Sequence, residues 1–293
     1  MAKVPASEPA AERRRAAAWW NEIGGALASI FLPAGCRLCE QLLTGASRLP
    51  ICKECLASFS RIKDAVCDLC GRPLEAMSQP QAECEELGSA TSRATSHATS
   101  QATGPGLCIS CRANPFHFER ARSFARYEGS LVRAIILLKF EEMEPLADWF
   151  AERLEETVRI YAKEMQADLI VPVPLHKIRR RERGFNQAEL LSKRLARRLG
   201  IPHQAVLLVR KRPRPDKHLL TSHERWEAVR GAFAARAGSQ VDKRRVLLVD
   251  DVMTTGATLD ACAKALRDAG ASSVLGLTIA RAILNPQKVS RDG

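Results

Sequence analysis

The sequence predicts an α/β fold, a mainly parallel sheet with helices on both faces, preceded by a small cysteine-rich module with little hydrocarbon to bury. Three observations carry this. From Ala121 to Ala280 short apolar runs alternate with helical stretches, the pattern of parallel strands joined by crossover helices. Eight of the ten cysteines form four Cys-x-x-Cys pairs between Cys36 and Cys111, where long apolar runs are missing. At 293 residues and 46% hydrophobic content, the chain suffices for one full core plus a smaller appended module.

Residues 1–30 read as a tail and a short helix. The first 18 or so are rich in Ala, Glu, Arg and Pro with no apolar period, and Trp19 to Phe31 suits a short amphipathic helix. Arg13, Arg14 and Arg15 precede this stretch as they would in a secretory signal. Asn21 and Glu22 interrupt it, however, no small-residue cleavage site follows, and it is too short to span a bilayer. A cytoplasmic location is expected, and a reducing compartment suits metal-binding thiolates.

Residues 31–115 hold the cysteine pairs. Cys36-x-x-Cys39, twelve intervening residues and Cys52-x-x-Cys55 have the spacing of a four-cysteine zinc site. Cys67-x-x-Cys70 and Cys108-x-x-Cys111 form a second set. The spacing leaves open whether consecutive or alternating pairs share an ion. Structural zinc contributes on the order of 10 kcal/mol of folding energy to a small site, enough to replace a missing core. Disulfides or a redox pair fit less well, because no apolar strand precedes the pairs. The four-residue repeat from Ser89 to Thr103 has nothing to pack and reads as disordered, within an insertion at about 78–104. Cys84 and Cys262 read as non-ligands, and His117 is not needed once eight cysteines complete two sites.

Residues 116–293 form the second domain. A strand is expected over Ala121 to Tyr127 and a helix over Leu131 to Phe140. Asp168 to Pro174 reads as a buried strand ending in a proline-fixed loop. Asn186 to Leu199 reads as a helix stopped by Gly200. Arg210 to Arg230, basic and with two prolines, reads as a long mobile loop containing a short helical stretch. A strand over Arg245 to Val249, a helix over Thr258 to Ala269 and a strand over Ser273 to Ala280 complete the series.

The sharpest motif is Val246-Leu-Leu-Val-Asp-Asp-Val-Met-Thr-Thr-Gly-Ala-Thr258. Open α/β sheets bind ligands at the carboxyl ends of their strands, which places Asp250 and Asp251 at a crevice. Adjacent carboxylates repel unless a cation or hydroxyl donors share them, so they suit ribose hydroxyls or Mg²⁺. Thr254, Thr255, Gly256, Ala257 and Thr258 supply hydroxyls, a tight turn and a helix start, an anion seat for one phosphate. The plain alternative, a strand end followed by a helix capped by Thr258, leaves the two aspartates and two further threonines unexplained. No Gly-x-x-x-x-Gly-Lys-Ser/Thr or Gly-x-Gly-x-x-Gly pattern supports a triphosphate or dinucleotide at this loop.

These thirteen residues resemble the phosphoribosyl-pyrophosphate motif of type I phosphoribosyltransferases. The resemblance implies that fold, a catalytic pair Asp250 and Asp251 at the ribose hydroxyls, and a 5-phosphate held by Thr254 to Thr258. It also implies a pyrophosphate loop, matched by Val171-Pro-Val-Pro-Leu-His176, with Pro172, Val173, Pro174 and Leu175 as binding residues. Phosphoribosyl transfer must stabilise a departing polyanion, for which cations and Mg²⁺ are needed. Candidate cations are Lys177, Arg179, Arg180, Arg181 and Arg183, with Lys211, Arg212, Arg214, Lys217 and Arg225 in the long loop. Lys211 and Arg225 are the two assigned to substrate there, and the loop resembles the family's closing lid. No residue offers itself as an obvious general base.

A double zinc ribbon followed by this fold resembles the ComF family, linked to DNA uptake in natural competence. The supporting stretches are Cys67-Asp-Leu-Cys-Gly-Arg-Pro73, Leu138-Lys-Phe140, Val171 to His176, Arg183-Gly-Phe-Asn-Gln187 and Val229-Arg-Gly-Ala-Phe233. Lys217-His-Leu-Leu-Thr221 departs from the glutamine and Gly-Leu-Ser turn common in that family. The resemblance implies binding of phosphoribosyl pyrophosphate with Mg²⁺ and two structural zinc ions. Two functions follow from it: phosphoribosyl transfer to an unnamed acceptor, or a non-catalytic protein of DNA uptake or repair that uses the donor site as a sensor. The net charge of +12 favours polyanionic partners; with the zinc ribbons it suits single-stranded DNA or DNA uptake proteins as partners. The sequence leaves the oligomeric state open.

Overall fold

The computed structural model describes residues 35–43, 48–63, 65–74, 106–113, 116–140, 143–213, 222–238 and 241–283. The N-terminal tail, the helix expected over Trp19 to Phe31, the insertion at about 78–104 with Cys84, and the loop cations Arg214 and Lys217 lie outside them. The described residues fall into two compact units. The first takes residues up to Phe59 together with Gly129–Leu137, and the second takes Ser60–Glu128 and everything from Leu138 onward.

In the first unit the Cys36 pair sits on a tight hairpin. Gly35 and Leu42 bridge antiparallel, the Cys36 amide donates to the Gln41 carbonyl at 2.8 Å, and Glu40 takes a positive φ of 64° to close the turn. The Cys52 pair starts helix α1 (Lys53–Ala57), with the Cys52 sulfur accepting from the Cys55 amide as N-cap.

In the second unit, β1 (Arg120–Arg126), β2 (Leu169–Pro172), β5 (Arg245–Met253) and β6 (Ser273–Arg281) form an all-parallel sheet in the order β1-β6-β5-β2. A short antiparallel pair, β3 (Leu208–Arg210) and β4 (Phe233–Ala235), stands apart from it. The helices are α2 (Ile109–Ala113), α3 (Gly129–Phe140, in this unit from Leu138), α4 (Glu144–Ile160), α5 (Lys177–Arg183), α6 (Gln187–Leu199), α7 (Ser222–Glu227) and α8 (Ala257–Asp268). Successive residues of a strand point to opposite faces. Val246, Leu248 and Val274 accordingly share a core with Leu259, Cys262, Ala263 and Leu266 of α8. Leu247 and Val249, one pleat over, are equally buried, and the α4–α6 pair packs on the sheet. The expected parallel sheet covered by helices is therefore present.

Several boundaries differ from the sequence reading. The strand expected to stop at Val249 continues to Met253, because β6 also runs on and pairs Asp250 with Thr278, Val252 with Ala280 and Met253 with Arg281. Helix α8 begins at Ala257 rather than Thr258, with Gly256 as its N-cap. The seventeen-residue α4 carries its buried residues at helical spacing, Leu146, Ala147, Phe150, Ala151, Leu154 and Val158, and Pro145 suits its first turn. Helix α6 ends where expected, Gly200 closing it at φ 67°, but starts at Gln187, because Asn186 is its N-cap and accepts from the Ala188 amide.

Both sheet edges are occupied, which removes the exposed pairing groups of an open edge. Beyond β2, Ile170 bridges His203 in parallel. Beyond β1, Ile62 donates to Phe124, Arg126 donates to Ser60, and Ala121 donates to Leu69 of the Cys67 knuckle at 2.7 Å. The last contact brings backbone against backbone at Gly71, where φ is +66° and an added Cβ would stand 2.5 Å from the Ala121 oxygen. Gly238 has a similar φ of +73° but open space around it. Gly71→Ala is expected to cost about 3 kcal/mol in urea denaturation and Gly238→Ala about 1 kcal/mol, the backbone strain alone. Equal costs would mean that the knuckle does not rest on β1.

Candidate functional site

Three segments converge on one cavity of about 240 Å³ at the carboxyl end of the sheet. The end of β5 contributes Asp250, Asp251, Val252, Met253 and Thr254, and the start of α8 contributes Gly256, Thr258 and Leu259. The loop after β2 contributes Val173, Pro174, Leu175 and His176, facing cations Arg179, Arg183, Arg210 and Arg225. The acids and the threonine-lined turn thus face the same space. Of the residues assigned from sequence, Thr255, Ala257, Pro172 and Lys211 do not line it. The Thr255 hydroxyl turns back to accept from the Ala257 amide at 3.4 Å, and Ala257 is buried. Pro172 is buried inside β2. Lys211 is exposed beyond the end of β3, its amide given to the Ala232 carbonyl, and Arg210 takes the cavity position instead.

The turn before α8 works only with glycine. Gly256 sits at φ +89°, and an added Cβ would meet Met253 Cε at 2.9 Å and Phe116 Cε1 at 3.0 Å. A helix start has backbone amides without intrahelical partners, and Gly256 provides no side-chain cap for them. Apart from the Ala257 amide, which the Thr255 hydroxyl takes, such amides suit an anion. Asp260, buried in the first turn, instead accepts the His117 amide at 2.6 Å and His117 Nδ1 at 3.1 Å, fixing the segment that carries Phe116.

Sequence reasoning missed Lys139 at this site. Its Nζ lies 2.8 Å from Asp251 Oδ2, with the two side chains only 12% and 15% exposed. Burial alone would lower the lysine pKa, but the facing Asp251 carboxylate outweighs it, with help from Asp250 and Tyr127, and the net shift is upward. Asp250 Oδ1 in turn accepts the Asp251 amide at 2.9 Å. The stretch Leu138-Lys-Phe140 supports the family resemblance, but no local pattern ties its lysine to Asp251, more than a hundred positions away.

The stretch Arg183-Gly-Phe-Asn-Gln187 braces both neighbours of this pair. Asn186 Nδ2 donates to the Val173 carbonyl at 3.0 Å while its oxygen caps α6, which holds the loop after β2 against that helix. Gln187 Nε2 donates to the Lys139 carbonyl at 3.1 Å and its oxygen accepts from Arg183. Arg183 also lies over the Phe140 ring, 5.2 Å from its centroid. Burial lowers the Arg183 pKa, opposed by the Asp251 charge.

The cysteines form two tetrads of consecutive pairs, Cys36, Cys39, Cys52, Cys55 and Cys67, Cys70, Cys108, Cys111, with all sulfurs of a set within 4.8 Å of one another. Sulfur separations of 3.9 Å (Cys36–Cys55), 3.6 Å (Cys39–Cys52) and 3.7 Å (Cys70–Cys108) match the roughly 3.8 Å edge of a tetrahedron with Zn–S bonds of about 2.3 Å. None of the eight is in a disulfide. Burial opposes ionisation of Cys36, yet the amides of Cys52, Leu38 and Cys39 donate to it and bring its pKa down to about 6. In the second tetrad the Cys111 and Cys70 thiols drive Cys67 well below the usual thiol range, while Cys111 is driven up by Cys67, Cys70 and burial. Four thiols competing for protons in this way are what a divalent ion resolves. The tetrads differ in setting: Cys39 is exposed, whereas all four cysteines of the second set are buried in the core that includes α8. Cys262 is buried in α8 apart from both sets.

A phosphoribosyl transferase domain model matches residues 186–289, and a double zinc ribbon domain model matches residues 27–87. The chain is 32% identical over 179 residues to Competence protein F of Haemophilus influenzae, covering 60% of this chain and 78% of that protein. It is 29% identical over 246 residues to DNA utilization protein YhgH of Salmonella typhimurium, covering 83% and 95%. Among solved structures, the glutamine phosphoribosylpyrophosphate amidotransferase of B. subtilis complexed with ADP and GMP is 22% identical with a TM-score of 0.31, over 46% of this chain and 26% of that one. No helix among the described residues is long and apolar enough to cross a membrane.

Two outcomes are expected. Native mass spectrometry should find two zinc ions per chain, falling to one in Cys39→Ser/Cys52→Ser; a metal-free chain of unchanged stability in urea would refute the structural role of the ions. Lys139→Met should cost about 3 kcal/mol in urea denaturation because it removes the ammonium held 2.8 Å from the largely buried Asp251 carboxylate, and adding Asp251→Asn should recover most of that loss. Additive losses in the double variant would show that the pair does not interact.

Proposed function

The chain belongs to the ComF family, and on that premise we propose that its cavity binds phosphoribosyl pyrophosphate with Mg²⁺ in a protein serving DNA uptake. One observation carries the reading: the acid pair, the uncapped helix start and the proline-bounded loop with its arginines open into the same cavity. Each part of the donor has a matching partner there. The Thr254–Thr258 turn takes the 5-phosphate through hydroxyls and helix amides. Asp250 and Asp251 accept from the ribose hydroxyls. The Val173–Leu175 backbone with Arg179, Arg183, Arg210 and Arg225 takes the pyrophosphate, where guanidiniums suit phosphate oxygens.

These residues also suit transfer. Breaking the bond from ribose C1 to pyrophosphate moves charge onto the leaving group, and cations already in place around it lower that barrier. Lys139 holds the Asp251 carboxylate in place before any ligand arrives, so the acid pair need not reorganise when the sugar enters. Mg²⁺, when bound, would offset the charge of the pyrophosphate. The names of the relatives, competence and DNA utilization proteins, support the DNA-uptake role, and the net charge of +12 is compatible with a nucleic-acid partner.

Calorimetry of the full chain with phosphoribosyl pyrophosphate and Mg²⁺ should show binding at one site, abolished in Asp250→Ala/Asp251→Ala with the fold intact by circular dichroism. Unchanged affinity in that variant would sink the assignment. Pyrophosphate release should then be followed across purine, pyrimidine and ammonia acceptors. Release with any of them establishes a transferase, while binding without release across the panel supports the sensor.

A further inference from the structure

We propose that Arg281 couples the second cysteine tetrad to the phosphate turn, so that the order of Met253–Thr258 depends on the metal held by Cys67, Cys70, Cys108 and Cys111. The inference rests on the donor-site reading above and adds a control to it. Arg281 ends β6 and is 2% exposed. One arm of its guanidinium, Nη1, donates to the carbonyls of Met253 at 3.1 Å, Thr254 and Ala282. The other arm, Nη2, donates to Cys70 Sγ at 3.7 Å. A single rigid, fully charged group thus touches a cysteine of the tetrad and the backbone of the first two residues of the phosphate turn.

The coupling follows from the cost of burying that charge. Among the described residues, the partners of Arg281 are carbonyl oxygens and one sulfur, with no carboxylate beside them. A buried guanidinium needs negative charge nearby to repay its lost hydration. A divalent ion held by four thiolates keeps a net negative charge on the sulfurs, and the tetrad supplies what Arg281 lacks. The residues fit such an ion: all four sulfurs are buried, they lie within 4.8 Å of one another, and the Cys108 amide donates to Cys67 Sγ at 3.3 Å. Once the ion is lost nothing clamps the four sulfurs together, Cys70 is no longer fixed beside Arg281, and the buried guanidinium loses the charge of the metal site that faced it. The arm that holds Thr254 then has no fixed anchor, and the turn that seats the phosphate loosens. In the first tetrad the donors to the sulfurs include the backbone amides of Leu38, Cys52 and Cys55.

Hydrogen exchange by mass spectrometry on the full chain, read at the peptide covering residues 253–258, tests this beside calorimetry with phosphoribosyl pyrophosphate and Mg²⁺. Stripping both ions with a chelator should speed exchange of the turn and weaken donor binding by about tenfold, the scale of one charge-assisted hydrogen bond. Emptying only the first site with Cys39→Ser/Cys52→Ser should leave the turn unchanged. Arg281→Met should match the stripped protein while retaining both ions, stripping should then add nothing further, and Arg281→Lys should restore part of the protection. Unchanged exchange in the stripped wild type, or additive effects of stripping and Arg281→Met, would overturn the coupling. Should Arg281→Met fail to fold, the stripped wild type against the first-site variant decides the matter. A wild type that binds no donor would defeat the donor-site reading alone, since exchange at the turn still reports on the coupling.

Discussion

A lysine ammonium 2.8 Å from Asp251, with both groups largely withdrawn from water, sets the terms for the rest of the cavity. Two neighbouring carboxylates at the end of a buried strand are costly unless positive charge is fixed beside them. The last turn of α3 brings that charge, Gln187 holds its backbone, and Arg183 holds Gln187. The same five-residue stretch positions the loop after β2 through Asn186. Placement of the acids and placement of the facing loop are thus parts of one hydrogen-bonded arrangement.

Around this arrangement the sheet supplies rigidity and the turn supplies openness. Pairing with β6 as far as Arg281 keeps Asp250 and Asp251 within a strand instead of on a loose loop, so their directions are set by the pleat. Immediately afterwards Gly256 breaks the chain into a left-handed turn against Met253 and Phe116, and α8 starts without a side-chain cap. A capped helix would have satisfied its own amides. An uncapped one leaves them to a ligand.

The two cysteine tetrads share their chemistry but differ in their neighbours. The first is built on a hairpin and a one-turn helix, with Cys39 at the surface. The second lies in the core with α8, rests its knuckle on the edge of β1 through Leu69 and Gly71, and is touched by Arg281. The second tetrad therefore bears on the packing of the sheet itself, where its knuckle covers an edge that would otherwise expose unpaired backbone groups.

Local signals in the sequence determined the parallel α/β class, the acid pair with its threonine turn, the loop after β2 and the four Cys-x-x-Cys pairs. Each of these is written in adjacent residues or at fixed short spacing: an apolar run, a Cys-x-x-Cys pair, an asparagine before a helix and a glycine after it. What the tertiary structure alone decided lies between distant positions. It paired the cysteines consecutively, placed Lys139 on Asp251, put Arg210 in the cavity and Lys211 outside it, extended β5 through both aspartates, and set Arg281 between a cysteine and the turn that follows β5. Periodicity and propensity report on neighbours along the chain. Charge compensation and strand pairing are settled by whatever the fold brings within a few ångströms, and no local pattern encodes that.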